Sequence, residues 1–488
     1  MIEEIALTGT IEEIHRKFLS RELTCEALVS EHIRRIESFD KKGPGINAVL
    51  SVNPNAFEIA RELDNQLKFG RLIGPLHGIP VLVKDNVDTV DMPTTGGSIC
   101  LADNRPSRDA FIIGKLKQAG AVILAKANLH EFAIWGETTS SLGGQTRNPF
   151  NTKLTPGGSS GGTGAGIAAG FATVGIGTDT VNSVRSPSSA NGLVGIRPTL
   201  GLVSRGGIIP YSLTHDTAGP LTRSVRDAAV VLGVIAGYDP QDSKTAWSWG
   251  KKPAYLQADS SLSGKRIGVL RSFFGCDSKH AEVNAVIQAN LELLVSSGVE
   301  LVKIDESIDA NYIASEISVH LYDLKDDLNT YLHLLDRALP VHSLEEIVAS
   351  GKYDPGIHDN LLKAMSLSKA SVEYSSRLIR QMQLRNQIMQ IMALNSLDAL
   401  VYPHQKRLVV PIGEIQVERN GALAAAVGFP AITIPAGFST PSKEAPIGVP
   451  IGIEFMGRPW SEPDLISIAH SLELTQSIAN TRVSSLFQ

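Results

Sequence analysis

At 488 residues and 43% apolar composition the chain can bury a large core, and it exceeds the roughly 250–300 residues at which single cores stop growing, so two domains or one large layered α/β domain is expected. Its 45 basic and 50 acidic side chains give a formal charge of -5 with no block of either sign, which argues against nucleic acid and for a neutral small molecule as partner. Three widely spaced cysteines (Cys25, Cys100, Cys276) fit neither a zinc site nor a redox pair, the acidic start lacks an apolar signal core, and Gly or Pro breaks every long uncharged run. Free thiols, a cytoplasmic location and no membrane span are therefore expected.

Residues 1–70 read as a helical segment packing on the core. Thr10 and Glu13 are spaced as a capping box, and Cys25, Leu28, Val29, Ile33 and Ile36 form one apolar stripe. From residue 71 short apolar runs alternate with helical patterns: strands at 79–84, 121–126 and 172–178, a helix near 108–119, a helix near 224–237, a strand at 265–271, a helix near 280–297 and a strand at 299–304. Over 305–395 the alternation stops. That stretch is charged and helix-patterned, and is read as an insertion capping one end of the sheet. Strands return at 398–403, 431–437 and 451–457, and a helix near 463–474 closes the C-terminal part of the core, 396–488. The fold class is α/β: a large mixed sheet with helices on both faces, in one domain carrying a helical insertion.

Three segments carry chemistry. Residues 156–170 hold so many glycines that a helix there loses roughly 1 kcal/mol at each relative to Ala. A phosphate cradle is disfavoured because no strand leads into it and no Lys-Ser/Thr follows. Close helix-to-sheet packing accounts for Gly166 and Gly170, but not for the paired serines Ser159 and Ser160. Next, Gly177-Thr-Asp-Thr-Val-Asn-Ser183-Val-Arg185 places a cluster of hydroxyls with one acid and one base at the end of an apolar strand, where α/β sheets build their sites. Finally, the strand Ile79-Pro-Val-Leu-Val-Lys84 ends in a lysine, either a snorkelling surface residue or a buried amine with a task.

Together these segments resemble the amidase signature family, in which a lysine follows Gly-Ile-Pro-x-x-x, a Gly-Gly-Ser-Ser-Gly-Gly turn supplies a serine, and a second serine ends Gly-Thr-Asp-Thr-Gly-Gly-Ser. The likeness extends to Gly74–Gly78, Ala121–Asn128, Gly192–Pro198 and Gly428–Pro435. It implies a catalytic set of Lys84 as base, Ser159 as relay on a cis peptide and Ser183 as nucleophile, with the backbone N–H groups of Thr180, Val181, Asn182 and Ser183 as oxyanion hole. Neither metal nor cofactor is implied. The residues agree with this: no histidine occurs in these motifs, so a Ser-His-Asp arrangement is disfavoured, and a lysine base must be neutral, with its pKa depressed by burial. Asp179, Arg185 and Ser160 are read as supporting residues, and Thr163 as a local hydrogen-bonding hydroxyl.

The chain departs from the family at Val181-Asn182, where Gly-Gly is usual. Asn182 is expected to take a left-handed or otherwise unusual backbone conformation, and Val181 an extended one that narrows the pocket. The implied activity is hydrolysis of a linear carboxamide in a small molecule through an acyl-enzyme, without membrane or nucleic acid and with a homodimer left open. Two alternatives stand beside it: the A-type glutaminase component of a glutamyl-tRNA amidotransferase, and a non-catalytic small-molecule-binding protein. The run Ser204–Pro220 resembles the stand-alone amidases more than the amidotransferase component.

Overall fold

The structure is a computed structural model that describes residues 2–251, 262–335 and 339–476. Eleven strands form one sheet: β1 (Val49–Val52), β2 (Pro80–Lys84), β3 (Val122–Ala127), β4 (Val174–Asp179), β5 (Val194–Arg197), β6 (Thr217–Thr222), β7 (Arg266–Leu270), β8 (Glu300–Ile304), β9 (Ala399–Pro403), β10 (Ala431–Phe438) and β11 (Pro450–Met456). Their order is β1-β3-β2-β4-β6-β5-β10-β11-β9-β7-β8. Parallel pairs β3-β2-β4 and β9-β7-β8 flank an antiparallel centre, so the sheet is mixed, and helices cover both faces in a single domain.

Most strands lie within two residues of the expected positions, because long buried strands read as continuous apolar runs. Three were missed. β1 has only four residues and turns the 1–70 segment from purely helical into helices plus an edge strand antiparallel to β3. β5 (Val-Gly-Ile-Arg) and β6 (Thr-Ala-Gly-Pro-Leu-Thr) carry glycine and proline, which signal turns in a sequence. Here the glycine serves packing. A Cβ on Gly219 would lie 1.9 Å from the Ile196 carbonyl oxygen, so only glycine lets β6 approach its neighbour.

The N-terminal helices are as patterned. The Thr10 hydroxyl accepts the Glu13 N–H at 3.2 Å, and the helix Cys25–Phe39 buries Cys25, Leu28, Val29 and Ile36 with Ile33 partly covered. The Gly-rich helix Gly161–Ala168 lies so close to the sheet that a Cβ on Gly166 would be 2.4 Å from Leu82. Gly170 plays a different part from the one expected, taking a left-handed conformation (φ +73°) just past the end of that helix.

The described residues of 305–395 contain helices and no strand, the longest being Val372–Leu394. This insertion has its own apolar cluster, in which Leu324, Leu328, Leu344 and Leu361 pack on Phe132, Ile134, Ile209 and Tyr211 of loops from the sheet. It thereby stands over the strand ends that carry the polar segments.

Candidate active site

Lys84 is the last residue of β2 and is fully buried between two parallel neighbours. Its Nζ lies 2.7 Å from the Ser159 hydroxyl, 2.8 Å from the Thr178 hydroxyl and 3.4 Å from the Thr178 carbonyl on the adjoining β4. Burial pushes its pKa down to about 7, against the opposing pull of Asp179 and Asp216. Near neutrality this amine therefore exists in both protonation states.

Ser159 follows a cis Gly158–Ser159 peptide, and its carbonyl accepts the His130 N–H at 3.0 Å. Ser160 and Thr163 turn away from chemistry. Their hydroxyls donate to the carbonyls of Thr178 (3.2 Å) and Ile176 (3.4 Å), tying the Gly-rich turn to β4. Ser183 lies in the turn between β4 and the short helix Arg185–Ala190, and its carbonyl accepts the Ser160 N–H at 3.2 Å, which brings the two serine-bearing turns together.

That turn rests on buried charges. Asp179 accepts the Val184 N–H at 3.0 Å, two bonds from Arg185 at 3.2 Å each, and one from Arg197 at 2.7 Å. Arg185 also donates to the Val181 carbonyl (2.7 Å), the Gly421 carbonyl (2.9 Å) and Glu454 (2.5 Å). Glu454 in turn meets His404 Nδ1 at 2.5 Å and accepts from Tyr402 and Thr433. Burial pushes the Asp179 carboxyl up, but the two guanidinium groups outweigh it and hold the pKa well below the usual carboxylate range.

This network overturns one expectation. Asn182 takes no left-handed conformation, because its carbonyl accepts the Ser186 N–H at 2.7 Å and Arg185 ties down the Val181 carbonyl. The Val181-Asn182 turn thus runs into the helix without the positive φ that Gly-Gly allows, and Val181 packs partly against an apolar cluster that includes Ile388, Leu423 and Ala424 while facing the cavity. Among the described residues the backbone N–H groups of Val181, Asn182 and Ser183 donate no hydrogen bond, and Thr180 is held through its hydroxyl on Asp216 at 2.6 Å.

Thr180, Val181, Asn182 and Ser183 border an open cavity of about 570 Å³, walled by Trp135 and Tyr211, by His320 and Tyr322 of the insertion, and by residues 415–419. Ser183 is 5% exposed there. Among the described residues no group of His, Cys, Asp or Glu is placed to hold a metal ion, and no helix is long and apolar enough to cross a membrane.

Several residues escaped the sequence reading. Glu454 had left a trace, an acid inside the apolar run Pro450–Met456. Arg197, Asp216, His130 and Arg419 sit in motifs or loops where a lone charge usually means surface.

The model of the family described as Amidase matches residues 27–466. The chain belongs to the amidase signature family. Its likeness to solved structures includes the peptide amidase of Stenotrophomonas maltophilia, at 35% identity and a TM-score of 0.86 over 95% of this chain and 96% of that one. The A-type component of the glutamyl-tRNA(Gln) amidotransferase of Thermotoga maritima matches at 26% identity and a TM-score of 0.71, over 96% and 94%. Among curated relatives, the corresponding amidotransferase component of Alkaliphilus metalliredigens is 33% identical over 95% of this chain and 96% of its own length. A probable amidase of Arabidopsis thaliana is 34% identical over 95% and 89%. This amidase signature protein is accordingly an amidohydrolase, which sets aside the non-catalytic alternative.

Proposed function

We propose that the protein hydrolyses a linear carboxamide of a small molecule through an acyl-enzyme on Ser183, with Ser159 as proton relay and Lys84 as base. The observation that carries this reading is the 2.7 Å contact between Ser159 and a buried Lys84 whose pKa falls to about 7, beneath the cavity that Ser183 borders. Neutral Lys84 takes the Ser159 proton as Ser159 takes that of Ser183, whose oxygen attacks the amide carbon. The resulting oxyanion is met by the backbone N–H groups of Thr180, Val181, Asn182 and Ser183, three of which have no competing acceptor among the described residues. The proton then returns through Ser159 to the leaving nitrogen, and water repeats the sequence to free the acid. Asp179 and Arg185 act by holding the turn, not by touching substrate. A panel of primary amides, peptide amides and anilides, assayed for ammonia or amine release with Ser183→Ala as control, tests the proposal; no release from any of them would overturn it.

The reading as a glutaminase component of an amidotransferase draws on the relatives named above. The higher identity and TM-score of the peptide amidase favour an enzyme acting alone. Glutamine turnover only in the presence of a co-purified partner protein would reverse that preference.

A further inference from the structure

In contrast to the exposed Lys363, which also lines the cavity, Arg419 is a covered cation of its wall. Its side chain is 12% exposed, it lines the cavity that Ser183 borders, and among the described residues its guanidinium donates no hydrogen bond. The nearest carboxylate oxygen, Glu137 Oε1, is 3.8 Å away, and the two Glu137 oxygens already accept the Gln416 N–H (3.0 Å) and the Gly136 N–H (3.1 Å). Arg377, which also lines the cavity, is saturated by contrast, donating to Glu373, Glu316 and the carbonyls of Ser315 and Ser318. A guanidinium has five N–H donors in a planar fork, and here they face the cavity and are free to meet a ligand.

The fold also reserves room for this group beside the serines. Arg419 Nη1 occupies the space a Cβ on Gly136 would need, 1.8 Å from that position, so only glycine at 136 admits it. Gly136 in turn lies against Gly158, whose own Cβ would meet the Gly136 carbonyl carbon and oxygen at 2.9 and 3.0 Å, and Gly158 immediately precedes Ser159. The loop carrying Gly136 holds Phe132, Ala133, Trp135 and Thr138 at positive φ, a concentration of backbone strain that accompanies ligand-binding loops.

We infer that Arg419 is a specificity-determining residue that receives a carboxylate carried by the amide substrate away from the scissile bond. The inference rests on the amide-hydrolysis reading above and names the substrate class within it. A carboxylate matches the guanidinium fork with two parallel hydrogen bonds. The Glu137 carboxylate, 3.8 Å from the guanidinium, offsets part of its charge and disfavours a dianion such as phosphate, while a monoanion is compensated by Arg419.

The test compares glutaric acid monoamide with pentanamide. Binding is measured by calorimetry on Ser183→Ala protein, and ammonia release on the wild type. The monoamide is expected to bind on the order of 10- to 100-fold tighter than pentanamide, the range of hydrogen bonds to a charged group. In Ser183→Ala/Arg419→Met that ratio should collapse towards one, and Arg419→Glu should shift preference to 5-aminopentanamide. Gly136→Ala, which displaces the guanidinium without removing its charge, should lower the ratio as well and covers the case of a misfolded Arg419 variant. A ratio near one in Ser183→Ala, or a ratio that survives Arg419→Met, overturns the inference. Hydrolysis without carboxylate preference would defeat this inference alone, and carboxylate-selective binding without any hydrolysis would defeat only the proposed reaction.

Discussion

Arg185 and Glu454 are 269 positions apart in sequence, yet their charged groups meet at 2.5 Å with neither side chain exposed. The pair joins the turn of Ser183 to β11, a strand from the far end of the chain. Removing one member of such a buried pair leaves its partners uncompensated, so Arg185→Met should destabilise the protein by about 3–5 kcal/mol in urea unfolding. The carboxyls of both Asp179 and Glu454 are held below their ordinary pKa, with burial opposing and Arg185 prevailing. Their contribution to stability is therefore complete above the unfolded carboxylate pKa of about 4 and is lost as pH falls through the lower folded values. Arg185→Met should flatten this acid limb; an unchanged stability–pH curve below pH 4 would show that the network does not couple to folding.

A second expectation concerns Lys84. On the proposed mechanism the neutral amine is the working form, and with a pKa of about 7 kcat/KM for a neutral amide should rise with pH through about 7 and level off above it. Lys84→Arg should not restore turnover, since a guanidinium keeps its proton at every working pH. A flat profile between pH 6 and 9, or a Lys84→Arg enzyme with more than a tenth of wild-type activity, would remove Lys84 from the role of base.

Ser183→Ala should reduce turnover by on the order of 10⁴-fold or more while changing stability by less than about 0.5 kcal/mol. The Ser183 hydroxyl has no hydrogen-bond partner among the described residues, so its loss strands nothing. Residual amide release within tenfold of wild type would point to another nucleophile.

The Gly-rich helix predicts a contrast between two glycines. A Cβ on Gly162 would lie 2.2 Å from the Asn128 carbonyl oxygen and 2.8 Å from that of Ala48, both backbone, whereas Gly114 in the helix Phe111–Gln118 has nothing within 4 Å. Gly162→Ala should destabilise the fold by about 2 kcal/mol or more, and Gly114→Ala should stabilise it by up to about 1 kcal/mol through helix propensity. Thermal unfolding of the two variants decides; equal shifts would mean that the helix can move off the sheet.

What the sequence made legible was whatever one segment could say alone. An apolar strand ending in Lys84 and a hydroxyl cluster ending β4 announce polar groups at strand ends, and the family's spacing joins them. Relations between segments were silent. Asn182 was assigned a left-handed backbone because its own side chain permits one, while the deciding contact comes from Arg185 onto the Val181 carbonyl. β6 was hidden because Gly219 and Pro220 signal a turn until the Ile196 carbonyl is placed against them. Arg419 reads as one more loop cation until Gly136 is seen to make room for it.

The insertion over 305–395 bears on how this scaffold can change. The proposed proton relay of Lys84, Ser159 and Ser183 comes from segments between residues 80 and 190, whereas His320 and Tyr322 of the cavity wall belong to a separate stretch anchored by Leu324, Leu328, Leu344 and Leu361. One wall of the cavity is thus inherited on a different piece of chain from the relay residues. A graft that kept those four leucines and rewrote the cavity-facing positions of this stretch would reshape one wall around the substrate and leave Lys84, Ser159, Ser183 and Arg419 untouched.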